Sequence, residues 1–247
     1  MLLRILLLLL VYGNGADPLS KAGQLIKTDR YKEAEAELKK VDTRVLDKAS
    51  QARYNLYYGN VLASQNREEK ALEYYLTAKK LYKAADSLQA AMDVNSEIAY
   101  LLSSQENYGD RAEGYLKEYL DYARANNDQL RLARGYSAMA ASRISSGNYQ
   151  DAVKCFRIAM EANRIAKDEK LESVMNNNMA VLYNENLQKP DSALYYLDKD
   201  LPFLQRINDV NGLCHNYINR AAAYHYKGDY RMAIRMLESA DSLPITD

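Results

Sequence analysis

One alanine recurs along this chain at nearly constant intervals, each time in a similar sequence neighbourhood. The six copies are separated by 37, 41, 40, 41 and 40 residues: Ala34, Ala71, Ala112, Ala152, Ala193 and Ala233. A large residue stands four positions after each one, at Leu38, Tyr75, Leu116, Phe156, Leu197 and Leu237. A small residue precedes each by twelve or thirteen positions, at Ala22, Gly59, Ala99, Ala140, Ala180 and Ala221. Repetition with this period predicts an array of stacked units rather than one closed core.

The spacing within each copy predicts two helices joined by a short turn. Residues four and seven apart share one face of a helix, so Ala71, Tyr75 and Ala78 form a packing stripe. The earlier small residue lies on a preceding helix, where it lets two helix axes approach closely. Gly147 and Gly228 stand between two such segments and suit the left-handed residue that ends a helix. Each copy is therefore predicted to be a hairpin of an A helix and a B helix.

This pattern resembles the tetratricopeptide repeat family over residues 16 to 242. The family's order of small residues, turn and aromatic residue is clearest at Ala140, Gly147, Tyr149, Ala152, Phe156 and Ala159, and again at Ala221, Tyr224, Gly228, Tyr230, Ala233, Leu237 and Ala240. The period exceeds the family's usual ~34 residues, which implies longer helices. The resemblance implies an all-α, right-handed α-solenoid of about six helix-turn-helix repeats within 16–247, at about 16–45, 48–84, 86–126, 128–167, 168–209 and 210–242.

Two places depart from the repeat. In the fifth copy, Asp200 breaks the apolar set, and Pro202 is expected to kink or end that B helix early because proline has no amide hydrogen to donate. After the sixth copy, Pro244 argues against a further helix, so Ile234 and Leu237 are expected to be partly uncovered.

Residues 1–15, MLLRILLLLLVYGNG, predict a secretory signal peptide. Arg4 is followed by an unbroken apolar run over 5–12 and then by small residues. The run is shorter than the ~20 residues that span a bilayer. A buried first helix is the alternative, but five consecutive leucines would leave it no polar face. We expect a secreted or periplasmic protein whose mature chain is not inserted in a membrane.

The net charge and the few reactive residues argue against several classes of function. Thirty-three basic and thirty-three acidic residues give no net charge, which argues against nucleic acid as a partner. No nucleophile, phosphate-binding or metal motif is present, so we expect no enzyme, no cofactor and no metal. Cys155 and Cys214 are expected to fill packing positions rather than to form a disulfide. Carboxylates such as Glu97 and Glu106 are expected to be ordinary solvated residues.

Stacked hairpins would place the A helices along a concave groove, which in the tetratricopeptide family binds an extended peptide or a partner helix. Counting from the small A-helix residues, the candidate groove positions hold Arg53, Tyr57, Asn60, Tyr100, Asn177, Asn178, Asn219 and His225. Glu97 falls at another inward position. Asn178 and Asn219 occupy equivalent places, and a carboxamide both donates and accepts, so a ladder of them could hold a peptide backbone. The alternative is that these asparagines bond only to helix termini or water.

The resulting functional prediction is an exported protein–protein interaction scaffold that binds a peptide or protein partner in its concave groove. The architecture is similar to extracytoplasmic sensory regions of bacterial signalling proteins, which makes a sensory region one form of this prediction. Two alternatives stay open. One is an envelope-assembly or structural adaptor that docks through its convex face or its open C-terminal end. The other is a small-molecule or glycan receptor that uses the tyrosines and asparagines.

Overall fold

The computed structural model describes residues 17–103 and 109–244. The described residues form twelve α-helices and no strand. The helices are α1 (Ser20–Lys27), α2 (Tyr31–Leu38), α3 (Lys48–Ser64), α4 (Glu68–Ala84), α5 (Leu88–Ser103), α6 (Gly109–Ala125), α7 (Gln129–Ser145), α8 (Tyr149–Ala166), α9 (Glu169–Val181), α10 (Pro190–Arg206), α11 (Val210–Tyr226) and α12 (Tyr230–Asp241). The predicted signal peptide, 1–15, lies outside the described residues.

Consecutive helices pack against each other in pairs. The chain divides into two compact units, one that holds α1 to α5 and one that holds α6 to α12. In the first unit α1 packs on α2, α3 on α4 and α4 on α5. In the second unit α7 packs on α8, α9 on α10 and α11 on α12. The predicted all-helical class, built from consecutive helix hairpins, is confirmed.

The recurring small residues lie where helices touch. All six repeat alanines and all six earlier small residues are buried. Five of the six large residues that follow the alanines are also buried, and the exception is Leu237, which is 51% exposed. Ile234 on the same helix is 57% exposed, as expected from the sequence. Among the described residues no helix follows α12 to cover this face, so the sixth stripe lacks the neighbour that buries the other five.

The turns between helices use left-handed residues, as the glycines predict. Gly147 and Gly228 have φ angles of +74° and +77°. Other turns place polar non-glycine residues in the same region, at Asp29, Asn66, Asp86, Asn127, Lys167, Gln188 and Asn208. Asn and Asp tolerate this conformation better than most residues because their short polar side chains bond locally. The turn geometry therefore recurs where the sequence carries no glycine signal.

The B helix of the fifth hairpin, α10, continues through its internal proline. Pro190 occupies the first turn, where its missing N–H costs nothing. The expectation that Pro202 ends the helix early is wrong, because α10 runs on to Arg206. Leu204 lies beyond the proline and is buried. Packing of this last turn outweighs the lost main-chain hydrogen bond.

None of the described helices combines the length and the apolar character that crossing a bilayer requires.

Candidate functional site

Two asparagines join the A helices of the last two hairpins. Helices α9 and α11 pack against each other, and Asn219 Nδ2 donates to Asn177 Oδ1 over 3.0 Å. Both side chains are half-buried. Within the described residues, Asn177 Nδ2 and Asn219 Oδ1 have no other hydrogen-bond partner. The pair therefore presents one donor group and one acceptor group to an occupant of this face.

A third asparagine bonds to the main chain of α11 beside this pair. After α9 the chain forms one π-helical turn, Leu182–Asn186, and Asn184 lies inside it. Asn184 Nδ2 donates to the main-chain oxygen of Asn219 over 3.0 Å. Its own Oδ1 is buried without a partner among the described residues. Wider π-helical turns are frequent at functional sites because they displace side chains from the regular helical register.

The other two predicted groove residues of this unit lie apart from the pair. Asn178 is half-buried and forms no side-chain hydrogen bond within 109–244, so Asn219 pairs with Asn177 rather than with the residue at its equivalent place. His225 is exposed, six residues or ~9 Å further along α11. Its ring contacts the ring of Tyr230 edge-on, with centroids 5.5 Å apart.

In the first unit, two predicted groove residues turn towards α1. Arg53 pairs with Asp17 over 2.8 Å. The ring of Tyr57 lies so close to Gly23 of α1 that a β-carbon on that glycine would stand 2.6 Å from its hydroxyl oxygen. Burial raises the pKa of Tyr57. These contacts give Arg53 and Tyr57 a role in packing α1 against α3.

The remaining two predicted residues, Asn60 and Tyr100, line one cavity of about 640 Å³ in the first unit. The hydroxyl of Tyr75 donates to Asn60 Oδ1 over 2.9 Å and so fixes the amide. The other residues of the wall are Tyr31, Ala63, Ser64, Asn66, Glu68, Glu97 and Leu101. The volume falls within the range of roughly 300–1,000 Å³ that is typical of ligand pockets.

The sequence analysis predicts that Glu97 of α5 is an ordinary solvated residue, and this prediction is wrong. It is half-buried rather than solvated, and no hydrogen bond or ion pair to its carboxylate occurs within the described residues. Burial raises the pKa of Glu97, and repulsion from Asp93 one turn earlier raises it further. The sequence did place Glu97 at an inward position, but the walls that desolvate it come from other helices.

A buried polar network lies between α10 and α11. Asp200 is 2% exposed, and Asn216 Nδ2 donates both to the main-chain oxygen of Leu197, over 3.1 Å, and to Asp200 Oδ2, over 3.5 Å. Arg220 donates from Nε to Asn216 Oδ1 over 2.8 Å and from its terminal nitrogen to Asp198 over 2.6 Å. Burial raises the pKa of Asp200. The network adds polar contacts to the apolar packing between these two consecutive hairpins.

Neither cysteine forms a disulfide. Cys155 and Cys214 are free thiols. Burial raises the pKa of Cys155, which keeps that sulfur protonated and poorly nucleophilic. In the part of the chain that the structure describes, no group of three or more His, Cys, Asp or Glu side chains is arranged to hold a metal ion.

Comparisons with known proteins give one weak similarity to a regulator. No family model matches the chain. The regulatory protein RapK of Bacillus subtilis (strain 168) is 25% identical over 167 residues, which cover 65% of this chain and 44% of RapK. The chain thus matches less than half the length of this relative.

Proposed function

We propose that this protein is a regulatory scaffold that binds an extended peptide, or an extended segment of a partner protein, on the face formed by the A helices of its last two hairpins, α9 and α11. The similarity to a regulatory protein supports the regulatory part of the proposal. The observation that carries the binding part is the hydrogen bond between Asn177 and Asn219, which joins consecutive A helices and leaves one donor group and one acceptor free.

The free groups of this pair match the needs of a peptide bond. Asn177 Nδ2 would donate to a main-chain carbonyl of the occupant, and Asn219 Oδ1 would accept from a main-chain N–H. These contacts do not depend on the side chains of the peptide. The hydrogen bond between the two side chains already orders them, so little side-chain freedom is lost when the occupant arrives.

Peptide selection followed by matched variants tests this proposal. The full chain would be used to select binders from a displayed random peptide library, and the affinity of the selected peptides would be measured by titration calorimetry. Loss of a net hydrogen bond of about 1 kcal/mol from each of the two groups predicts about thirtyfold weaker binding to the double variant Asn177→Ala, Asn219→Ala. Asn211→Ala is the control, because Asn211 is an exposed residue in the first turn of the same α11.

Two results would contradict the proposal. Failure of the wild-type chain to select any peptide would argue against a peptide-binding scaffold. Selected peptides that bind the double variant and the wild type equally would place the binding surface elsewhere.

We also propose that the protein is exported and acts as the sensory region of a signalling protein. The apolar run and small residues of 1–15 support export. Mass spectrometry of the protein recovered from the cell envelope tests export, because cleavage of the signal peptide would produce a chain that begins at about residue 16. A chain recovered from the cytoplasm with 1–15 intact would contradict export.

A specific observation favours a second candidate, an adaptor that docks through α12. Ile234 and Leu237 are 57% and 51% exposed on one face of this helix. If partners dock there, the double variant Ile234→Ser, Leu237→Ser will abolish partner capture and the asparagine variants will leave it unchanged. If instead the asparagine variants abolish partner capture and the α12 variant leaves it unchanged, the peptide-binding face is supported.

A further inference from the structure

We propose that the cavity lined by Glu97 binds a peptide through a positively charged side chain, arginine or lysine. The inference deepens the proposed function, on which it rests in taking a peptide as the occupant. It concerns the first unit of the chain, whereas Asn177 and Asn219 belong to the second.

The charge of the cavity wall selects a cation. Among the described residues, ten line the cavity, and they include two carboxylates, Glu68 and Glu97, and no Lys, Arg or His. A third carboxylate, Asp29, accepts a hydrogen bond from the hydroxyl of Tyr31 over 3.0 Å. Low-dielectric walls focus the field of these charges, so a cation is attracted into the cavity and an anion is repelled.

Glu97 lacks the partner that a half-buried carboxylate normally has. Its oxygens receive no hydrogen bond from any described residue, and its pKa is raised first by burial and then by Asp93. A carboxylate taken from water without compensation is destabilised. A guanidinium or ammonium group placed against Glu97 would supply both the missing charge and the missing hydrogen bonds.

Two of the tyrosine hydroxyls at the cavity are already engaged in hydrogen bonds within the protein. The hydroxyl of Tyr31 is engaged with Asp29 and that of Tyr75 with Asn60. Tyr100, which is exposed, also belongs to the wall. Aromatic faces attract cations, and arginine more often than lysine uses this contact. We therefore expect arginine to bind more tightly than lysine.

Asn60 gives the cavity a feature that suits a peptide rather than a free cation. Its Oδ1 accepts from Tyr75, and its Nδ2 makes no hydrogen bond within 17–103. A fixed N–H donor in the same cavity as a carboxylate can bind a main-chain carbonyl while the side chain of the same peptide residue reaches Glu97. A small cation such as agmatine would use only the second of these contacts.

Capped peptides that differ in charge test the inference on the full chain. The probes are acetyl-Ala-Arg-Ala-amide, the same peptide with lysine, and the same peptide with citrulline, which is the neutral isostere of arginine. A charge-assisted hydrogen bond predicts that the arginine peptide binds at least about tenfold more tightly than the citrulline peptide. Glu97→Gln removes the charge and keeps the size, so this preference should disappear. Glu238→Gln, an exposed residue of α12, makes the same change of net charge elsewhere and should keep the preference.

Each other outcome overturns the inference. Equal binding of the arginine and citrulline peptides, binding of neither, or a preference that survives Glu97→Gln would each show that the cavity is not a cation site. Agmatine that binds as tightly as the arginine peptide would assign the cavity to a small cation. Circular dichroism checks that Glu97→Gln folds. A failure here is distinguishable from failure of the proposed function, because the selected peptides and the Asn177 and Asn219 variants report on the other unit.

Discussion

The ring of Tyr75 occupies the space that a side chain on Gly59 would need. A β-carbon on Gly59 would stand 2.5 Å from Cε1 of Tyr75 and 2.6 Å from Cδ1. Helices α3 and α4 approach closely at this point because residue 59 has no side chain. The same Tyr75 donates to Asn60, so the contact that packs the second hairpin also orients an amide of the candidate cavity.

We expect Gly59→Ala to destabilise the protein, although alanine is the better helix former. The added methyl group would force the ring of Tyr75 to shift, and overpacking of this kind costs about 1–3 kcal/mol. Gly114→Ala is the matched control in α6, where a β-carbon meets nothing within 4 Å and alanine should add roughly 0.5–1 kcal/mol of stability. Urea unfolding measures the free energy of unfolding of both variants. If both variants raised the free energy of unfolding, helices α3 and α4 would lie further apart at Gly59 than the structure indicates.

The buried carboxylate of Asp200 predicts a dependence of stability on pH. Its raised pKa means that the folded chain keeps this proton over a pH range in which the unfolded chain has lost it. The free energy of unfolding should therefore fall as pH rises from the unfolded value, ~3.9, through the raised folded value. Burial is the main cause, Asp209 adds repulsion, and hydrogen bonds from Ser173 and Asn216 with the charge of Arg220 oppose the shift.

We expect Asp200→Asn to remove this dependence. The variant keeps the shape of the side chain without the charge, so it should be more stable than the wild type near neutral pH by about 1–3 kcal/mol, the cost of an uncompensated buried polar group. The difference should shrink as pH falls towards the unfolded pKa. Asp241→Asn, at an exposed residue at the end of α12, is the control and should change little. A wild type more stable than Asp200→Asn at neutral pH would contradict this expectation.

The sequence predicts those features that depend on spacing alone. The six alanines imply helix hairpins, and Gly147 and Gly228 imply left-handed turns, because periodicity and backbone conformation are local properties. The partners of polar side chains are not local. Glu97 is desolvated by walls from other helices, and Asn219 meets Asn177 rather than Asn178 because of how α9 and α11 are rotated against each other. Continuation of α10 past its proline likewise depends on tertiary packing.

Two leucines at equivalent repeat positions should respond differently to truncation. Leu197 is fully buried, whereas Leu237 is 51% exposed. Leu197→Ala leaves a cavity and should cost about 2–5 kcal/mol. Leu237→Ala removes a side chain that is half in water and should stay within about 0.5 kcal/mol of the wild type. Thermal unfolding monitored by circular dichroism compares the stabilities of the two variants with that of the wild type. A large loss from Leu237→Ala would mean that another chain covers α12 in solution, and dilution would then lower the stability.

A double-mutant cycle tests whether the bond between Asn177 and Asn219 forms in the absence of a partner. A net hydrogen bond is worth about 1 ± 0.5 kcal/mol, so the two single alanine variants should destabilise by more, in sum, than the double variant does. Asn177→Ala combined with Asn211→Ala should be additive within roughly 0.5 kcal/mol, because Asn211 makes no such bond within the described residues. Zero coupling between Asn177 and Asn219 would mean that the two carboxamides are separately solvated in the free protein. A peptide would then have to order both, and the affinity gained from a preformed pair would be lost.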